Sequence, residues 1–292
     1  MKIPRILLFG RVGQVGWELR RTLAPMAQVR CLDFPEIDFT QPDSIRRAVD
    51  EARPDIVINA AAYTAVDKAE SDPETAAKIN GEAPGIMAEA AKRSGALLVH
   101  YSTDYVFDGA KTEPYLETDT PNPLSAYGRS KLAGDQAIQA IGGHHLIFRL
   151  CWVYGARGQN FLLTIMRLAR ERECLRIVSD QIGAPTPSRL IAQTTALALR
   201  QVAAAADPAA LCGLYHLAAG GHTSWHGFAT AIVGLMPAEG KKCSRLEPIS
   251  TAQYPTPARR PANSRMSCAK LETTFGLRLP PWEEGLRLVV EN

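Results

Sequence analysis

The chain has 292 residues, enough for one large domain or one and a half, and 46% of them are hydrophobic, enough to fill a sizeable core. A net charge of +3, with lysine and arginine spread along the chain, argues against a nucleic-acid partner. The six cysteines are scattered with no C-x-x-C, which argues against a zinc site or a disulfide framework and for reduced thiols in a cytoplasmic protein; no stretch is long enough to insert across a bilayer.

Residues 3–9 are an apolar run, too short for a signal peptide, and read as a strand. Gly10, Gly13 and Gly16 follow as G-x-x-G-x-x-G, and Trp17 to Leu23 reads as a helix. Strand, glycine turn and helix are the setting in which glycines let a backbone approach a dinucleotide diphosphate, with the helix N-terminus supplying N–H donors. Val29 to Asp33 reads as the second strand. Asp33 lies 20 residues after Gly13, where an acid binds adenosine ribose hydroxyls and favours NAD; Arg11, inside the glycine loop, pulls the other way. The spacing then predicts a helix from Pro42 to about Ala52, a third parallel strand at Asp55 to Ala62, a helix over about 74–94 and a buried strand at Ala96 to Tyr101. Tyr63 and Thr64 fall at the carboxyl edge of the third strand, where open α/β sheets bind ligands.

Ser102 and Thr103 follow the next strand, at a place where hydroxyls can reach a substrate carbonyl. Thr118 to Pro123 is a polar loop, and a further strand, His145 to Leu150, runs into Cys151 to Gly155. Alternation of strand and helix through residue 155 predicts an α/β fold with a Rossmann-type doubly wound parallel sheet over 1–155, followed by a smaller C-terminal α/β portion over 156–292. Segments near 187–215 are expected to pack back on the first unit. In the later part, Phe161 to Glu171, residues 189–205 and Trp225 to Leu235 read as helices and Leu214 to Leu217 as a strand. Tyr254 to Pro261 has too many prolines for either and reads as a stiff loop carrying Arg259 and Arg260.

Between these elements stands Tyr127-Gly128-Arg129-Ser130-Lys131. On a helix, positions i and i+4 share a face, so Tyr127 and Lys131 can enter one pocket. A free phenol has a pKa of about 10; a nearby ammonium is expected to lower it and make the pair a proton donor and acceptor for a carbonyl or alcohol.

The glycine loop, Ser102-Thr103 and Tyr127-x-x-x-Lys131 together resemble the extended short-chain dehydrogenase/reductase family. Gly13-Gln14-Val15-Gly16, Ala65 to Glu70, Ser102 to Phe107, Trp152-Val153-Tyr154, Gly183 to Thr186 and Tyr254 to Pro257 are similar to its dTDP-4-dehydrorhamnose reductase branch, from about residue 4 to about residue 290. The resemblance implies NADPH- or NADH-dependent reduction of dTDP-4-dehydro-6-deoxy-L-mannose to dTDP-L-rhamnose, the last step in making activated rhamnose for bacterial surface polysaccharides. It implies Tyr127 as proton donor, Lys131 as nicotinamide-ribose ligand that tunes it, and Thr103, with Ser102 close by, at the sugar carbonyl. It places Thr103, Asp104 and Trp152 against substrate, and Gly10, Gly13, Gln14, Val15, Gly16, Asp33, Asp38, Phe39, Ala62, Tyr63, Thr64, Tyr101, Tyr127 and Lys131 against cofactor. The substrate implied carries a diphosphate, for which Arg259 and Arg260 are the candidates, one in the pocket and one solvated.

The chain departs from the branch at Arg11-Val12, at Tyr63, where histidine is common, and at Asp135, where glutamate is frequent. Some members form homodimers with magnesium at the contact; Glu18 matches that carboxylate, while Arg189 falls where a second acid would stand. Two rivals share the fold. A dehydratase or epimerase is disfavoured because Asp104 is followed by Tyr105 and not by a glutamate. A non-catalytic NADP-binding subunit is disfavoured by the intact Thr103, Tyr127 and Lys131.

Overall fold

The computed structural model describes residues 3–291. Its main sheet is six parallel strands: β1 (Arg5–Phe9), β2 (Gln28–Leu32), β3 (Ile56–Asn59), β4 (Leu97–Thr103), β5 (His145–Leu150) and the strand Gly213–Leu217. Their spatial order is Gly213–Leu217, β5, β4, β3, β1, β2, so the chain starts in the interior of the sheet and winds outward twice. Side chains alternate across a strand, and here both faces are covered. Ile6, Leu8, Val99, Tyr101, Leu146 and Phe148 enter one core, while Leu7, Phe9, Leu98 and Ile147 enter the other. That double burial is why these strands read as unbroken apolar runs. β2 lies at the edge, and none of its residues is fully buried.

Helix α1 (Gln14–Leu23) and the helix Ser188–Ala204 cover the first face, with Leu19 and Leu23 packed against Ile191 and Leu199. Helix α2 (Pro42–Ala52) and the helix Ala83–Ser94 cover the other, through Ile45, Val49, Met87 and Ala90. A further apolar cluster lies beyond the sheet, where Phe228, Leu162, Ile165 and Trp282 join the helices Phe161–Glu171, Trp225–Leu235 and Trp282–Val290. Cys174–Val178 and Arg245–Ile249 form a parallel pair beside them. Among the described residues no helix is long and apolar enough to cross a membrane.

Three local features, two of them departures from the sequence expectation, bear on function. The third strand ends at Asn59, so Ala60 to Ala62 leave the sheet. The long helix expected near 74–94 is broken by a π-turn at Lys78–Glu82. Inside that turn Asn80 is buried, accepts from the Tyr63 N–H at 2.8 Å and donates to Ser130 Oγ at 3.0 Å, tying the end of β3 to the helix of Tyr127. The chain also turns left-handed at Trp152, with φ 45°, immediately after β5.

Candidate functional site

The carboxyl ends of β1, β3, β4 and β5 converge on one crevice of about 720 Å³. The three glycines at its head serve different ends. Gly10 has φ +84°, and a Cβ there would overlap the Ala61 N–H; a Cβ on Gly16 would overlap the Gly10 carbonyl. Strand, turn and helix therefore require both. A Cβ on Gly13 would lie 3.5 Å from the Gly10 carbonyl oxygen and 3.9 Å from that of Ala60, ordinary contacts. The protein itself has no need of a glycine there, and Gly13 faces the crevice. That is the position where a second glycine admits a diphosphate to the backbone.

Gln14, Val15, Asp33, Phe39, Ala62, Thr64 and Tyr101 also line the crevice. The Asp33 carboxylate accepts from the Val12 N–H at 3.0 Å and the Phe34 N–H at 2.9 Å, so it braces the glycine loop as well as facing the opening. Arg11 is turned to Glu36 at 2.6 Å and to the Cys31 carbonyl. Asp38 is not part of the lining. Its carboxylate is held by the backbone and hydroxyl of Thr40, which depress its pKa, and it serves the turn before α2. The Tyr63 side chain also turns away, its hydroxyl 3.3 Å from Asp72, leaving its backbone N–H and carbonyl bonded to Asn80.

Tyr127 and Lys131 stand on the helix Ala126–Ile141 and both line the crevice with Ser102, Thr103 and Asp104. Ser125 caps this helix through the Gly128 N–H, and Glu70 accepts from the Ala126 N–H at 2.7 Å. A Cβ on Gly128 would overlap the Tyr105 carbonyl, so the glycine between the two catalytic candidates lets their helix close on the end of β4. Lys131 is 1% exposed; its ammonium donates to the Tyr101 carbonyl at 2.6 Å, and burial brings its pKa down to about 8.

The expectation that Lys131 acidifies Tyr127 is corrected here. Burial raises the phenol above the usual tyrosine value, and the group that pulls it back is the Thr103 hydroxyl. A phenol so placed keeps its proton at neutral pH, as a proton donor must. Ser102 donates to Asp135 at 2.9 Å and Thr103 to Asp104 at 3.0 Å. Burial pushes the Asp104 carboxyl up to about 6.

The far wall is aromatic. Trp152 stacks on Trp225 with ring centroids 3.5 Å apart and planes at 9°. A Cβ on Gly183 would overlap the Trp152 indole, so the Gly183-Ala184-Pro185-Thr186 segment provides a flat bed for that ring. Trp225, Gly158, Gln159 and Asn160 are lining residues that the sequence reading missed. Asn160 donates to Gln14 at 2.8 Å and so closes the loop after β5 onto α1. The polar run after Gly155 was a legible signal for the last three; nothing in the sequence paired Trp225 with Trp152.

Arg259 and Arg260 lie outside the lining. Arg259 is exposed, and Arg260 is half-buried, bound to Asp67 at 2.8 Å and to the Thr256 hydroxyl. Glu18 is paired with Arg189 at 3.5 Å, and among the described residues no group of three or more His, Cys, Asp or Glu side chains could hold a metal ion.

Comparison with known proteins gives a consistent result. The family model described as RmlD substrate binding domain matches residues 4–292. A dTDP-4-dehydrorhamnose reductase of Burkholderia thailandensis is 52% identical over 296 aligned residues, covering 99% of this chain and 98% of that protein. One of Escherichia coli K12 is 47% identical, covering 98% and 97%. Among solved structures, a dTDP-4-dehydrorhamnose reductase of Bacillus anthracis in complex with NADP superposes with a TM-score of 0.90 at 34% identity, covering 100% of both chains.

Proposed function

Because this chain belongs to the dTDP-4-dehydrorhamnose reductase family, we propose that Tyr127, Lys131 and Thr103 carry the proton side of a ketone reduction in the crevice above β1, β3 and β4. The chain is an NAD(P)-dependent oxidoreductase that reduces dTDP-4-dehydrorhamnose to dTDP-L-rhamnose in dTDP-rhamnose biosynthesis. The observation that carries the residue assignment is the joint lining: phenol, ammonium and Thr103 hydroxyl share one crevice with a Gly13 whose Cβ position no protein atom fills.

When bound, a reduced nicotinamide would supply hydride for the sugar C4. Backbone N–H groups at the start of α1, beside Gly13, Gln14 and Val15, hold the coenzyme diphosphate. Asp33 would take the adenosine ribose hydroxyls and favour NADH, while Arg11, now paired with Glu36, is the neighbouring cation for a 2′-phosphate and pulls toward NADPH. Lys131 meets the nicotinamide ribose. As charge develops on the sugar oxygen, Tyr127 gives up its proton to it, and the Thr103 hydroxyl, turning its hydrogen from Asp104 to the phenol, steadies the oxygen left behind. The Trp152–Trp225 stack forms the flat wall against the sugar nucleotide, next to Asp104. Arg260, preset by Asp67, and the exposed Arg259 are the candidates for its diphosphate. In this reading residues 1–155 hold the coenzyme, and most of 156–292 shapes the sugar-nucleotide side. The six free cysteines support a cytoplasmic location.

The test is loss of NADPH and NADH absorbance with dTDP-4-dehydrorhamnose. Tyr127→Phe is expected to lower kcat by about 10²–10⁴-fold with coenzyme affinity retained. Wild-type turnover in that variant removes Tyr127 from the mechanism.

A further inference from the structure

We propose that His100 is a positioning residue for Lys131, presenting its Nε2–H to the lysine amine and so setting the pH at which Lys131 exchanges its proton. This rests on the reading of Lys131 as part of the proton machinery.

Four contacts decide the tautomer. The Ala61 N–H donates to Asn59 Oδ1 at 3.2 Å, which orients the Asn59 amide. Its Nδ2 therefore donates to His100 Nδ1 at 3.0 Å. His100 is fully buried, and both burial and the Lys131 charge hold its pKa well below the usual histidine value, so the ring is neutral. A neutral imidazole has one N–H, and with Nδ1 accepting, that hydrogen sits on Nε2. Nε2 lies 3.3 Å from Lys131 Nζ and 3.9 Å from Asp135 Oδ1. That carboxylate oxygen is buried with no hydrogen-bond partner among the described residues.

An ammonium has three donors and no acceptor. Facing Lys131 as an ammonium, the Nε2–H meets a donor, and Asp135 Oδ1 at 3.9 Å is too far to accept it. Facing Lys131 as an amine, it finds a lone pair. The ring thus has a partner in the amine and none in the ammonium, and favours the amine while Nε2–H points at Nζ. The groups around Nζ are His100 and the Tyr101 carbonyl from β4, Asp135 from the lysine's own helix, Asn59 of β3 behind the imidazole, and Arg149 of β5, bound to Asp135 at 3.2 Å; Tyr127, on the same helix, lines the same crevice.

Two substitutions separate the ring nitrogens. His100→Asn keeps an amide near the Nδ1 position and removes the Nε2–H; His100→Gln places an amide near the Nε2 position. In pH profiles of kcat/KM for the coenzyme, His100→Asn is expected to move the alkaline limb up by about half a pH unit or more, roughly threefold in proton affinity. His100→Gln is expected to return it toward wild type. A limb in His100→Asn coincident with wild type, or equal displacement in both variants, overturns the proposal. Nitrogen-15 NMR of the wild-type chain gives a second reading independent of variant folding: the Nε2–H tautomer supports it, and an Nδ1–H tautomer overturns it. Wild-type turnover in Lys131→Met would sink the reading of Lys131 itself, and the His100 proposal with it.

Discussion

Gly13→Ala separates coenzyme binding from fold stability more cleanly than any other single change in the glycine loop. The backbone at Gly13 has φ −65° and ψ 161°, a conformation open to alanine, and the added methyl meets its nearest atoms at 3.5 and 3.9 Å. Restricting the unfolded chain favours alanine by about 0.4–1 kcal/mol. The position is also the N-cap of α1, where alanine is poorer than glycine by a similar amount. The two effects oppose, so the net change is within about 1 kcal/mol, and the Tm shift is at most about 2–4 °C. The methyl nevertheless occupies the space where the diphosphate would meet backbone donors. A charge-assisted hydrogen bond is worth about 1.5–3 kcal/mol, so losing one weakens coenzyme binding by roughly ten- to a hundredfold. Fluorescence titration with NADPH, paired with thermal melting, reads both effects. Gly16→Ala is the control: its Cβ overlaps the Gly10 carbonyl, and overpacking of that kind costs about 1–3 kcal/mol, so it should lower Tm. A Gly13→Ala protein with wild-type coenzyme affinity would refute the cradle.

Lys131 is fully buried and holds its proton less firmly in the folded chain, near pH 8 against 10.5 for an ordinary lysine. The folded state then binds fewer protons between those values, so the cost of burying the charge is present below pH 8 and relieved as pH rises to 10.5, by roughly 3 kcal/mol. Denaturant melts should show wild type gaining on Lys131→Met across that window; parallel curves would exclude a buried ammonium. Asp104 has the opposite sign. Its folded pKa of about 6 exceeds the ordinary 3.8, so its carboxylate destabilises the fold above pH 6 and not below pH 4. Asp104→Asn should therefore raise Tm at pH 7 and change it little at pH 4, and an equal gain at both would exclude the linkage. Gly183→Ala should push Trp152 off Trp225, changing tryptophan fluorescence and raising KM for the sugar nucleotide with coenzyme affinity retained; an unaltered spectrum and KM would show the stack is dispensable.

The strand pattern and the glycine loop were legible because they obey short-range rules. Unbroken apolar runs such as Ile6 to Phe9 suit only strands covered on both faces, and the helices Pro42–Ala52 and Trp225–Leu235 begin and end where composition predicts. The i, i+4 spacing of Tyr127 and Lys131 needed only helical geometry. Their electrostatics were not legible. The sequence sets a lysine one turn from a tyrosine, but folding fully buries Lys131, half-buries Tyr127, and adds the Tyr101 carbonyl on Nζ and Thr103 near the phenol, so that Tyr127 rises and Lys131 falls.

The π-turn carrying Asn80, the stack of Trp152 on Trp225 and the pairing of Asp67 with Arg260 join residues far apart along the chain. Local periodicity carries no information about such pairs. The amino-acid order by itself determined which elements form and which reactive groups they carry. Tertiary packing alone decided which of those groups share a crevice and in what protonation state, because both depend on what the rest of the chain removes from water.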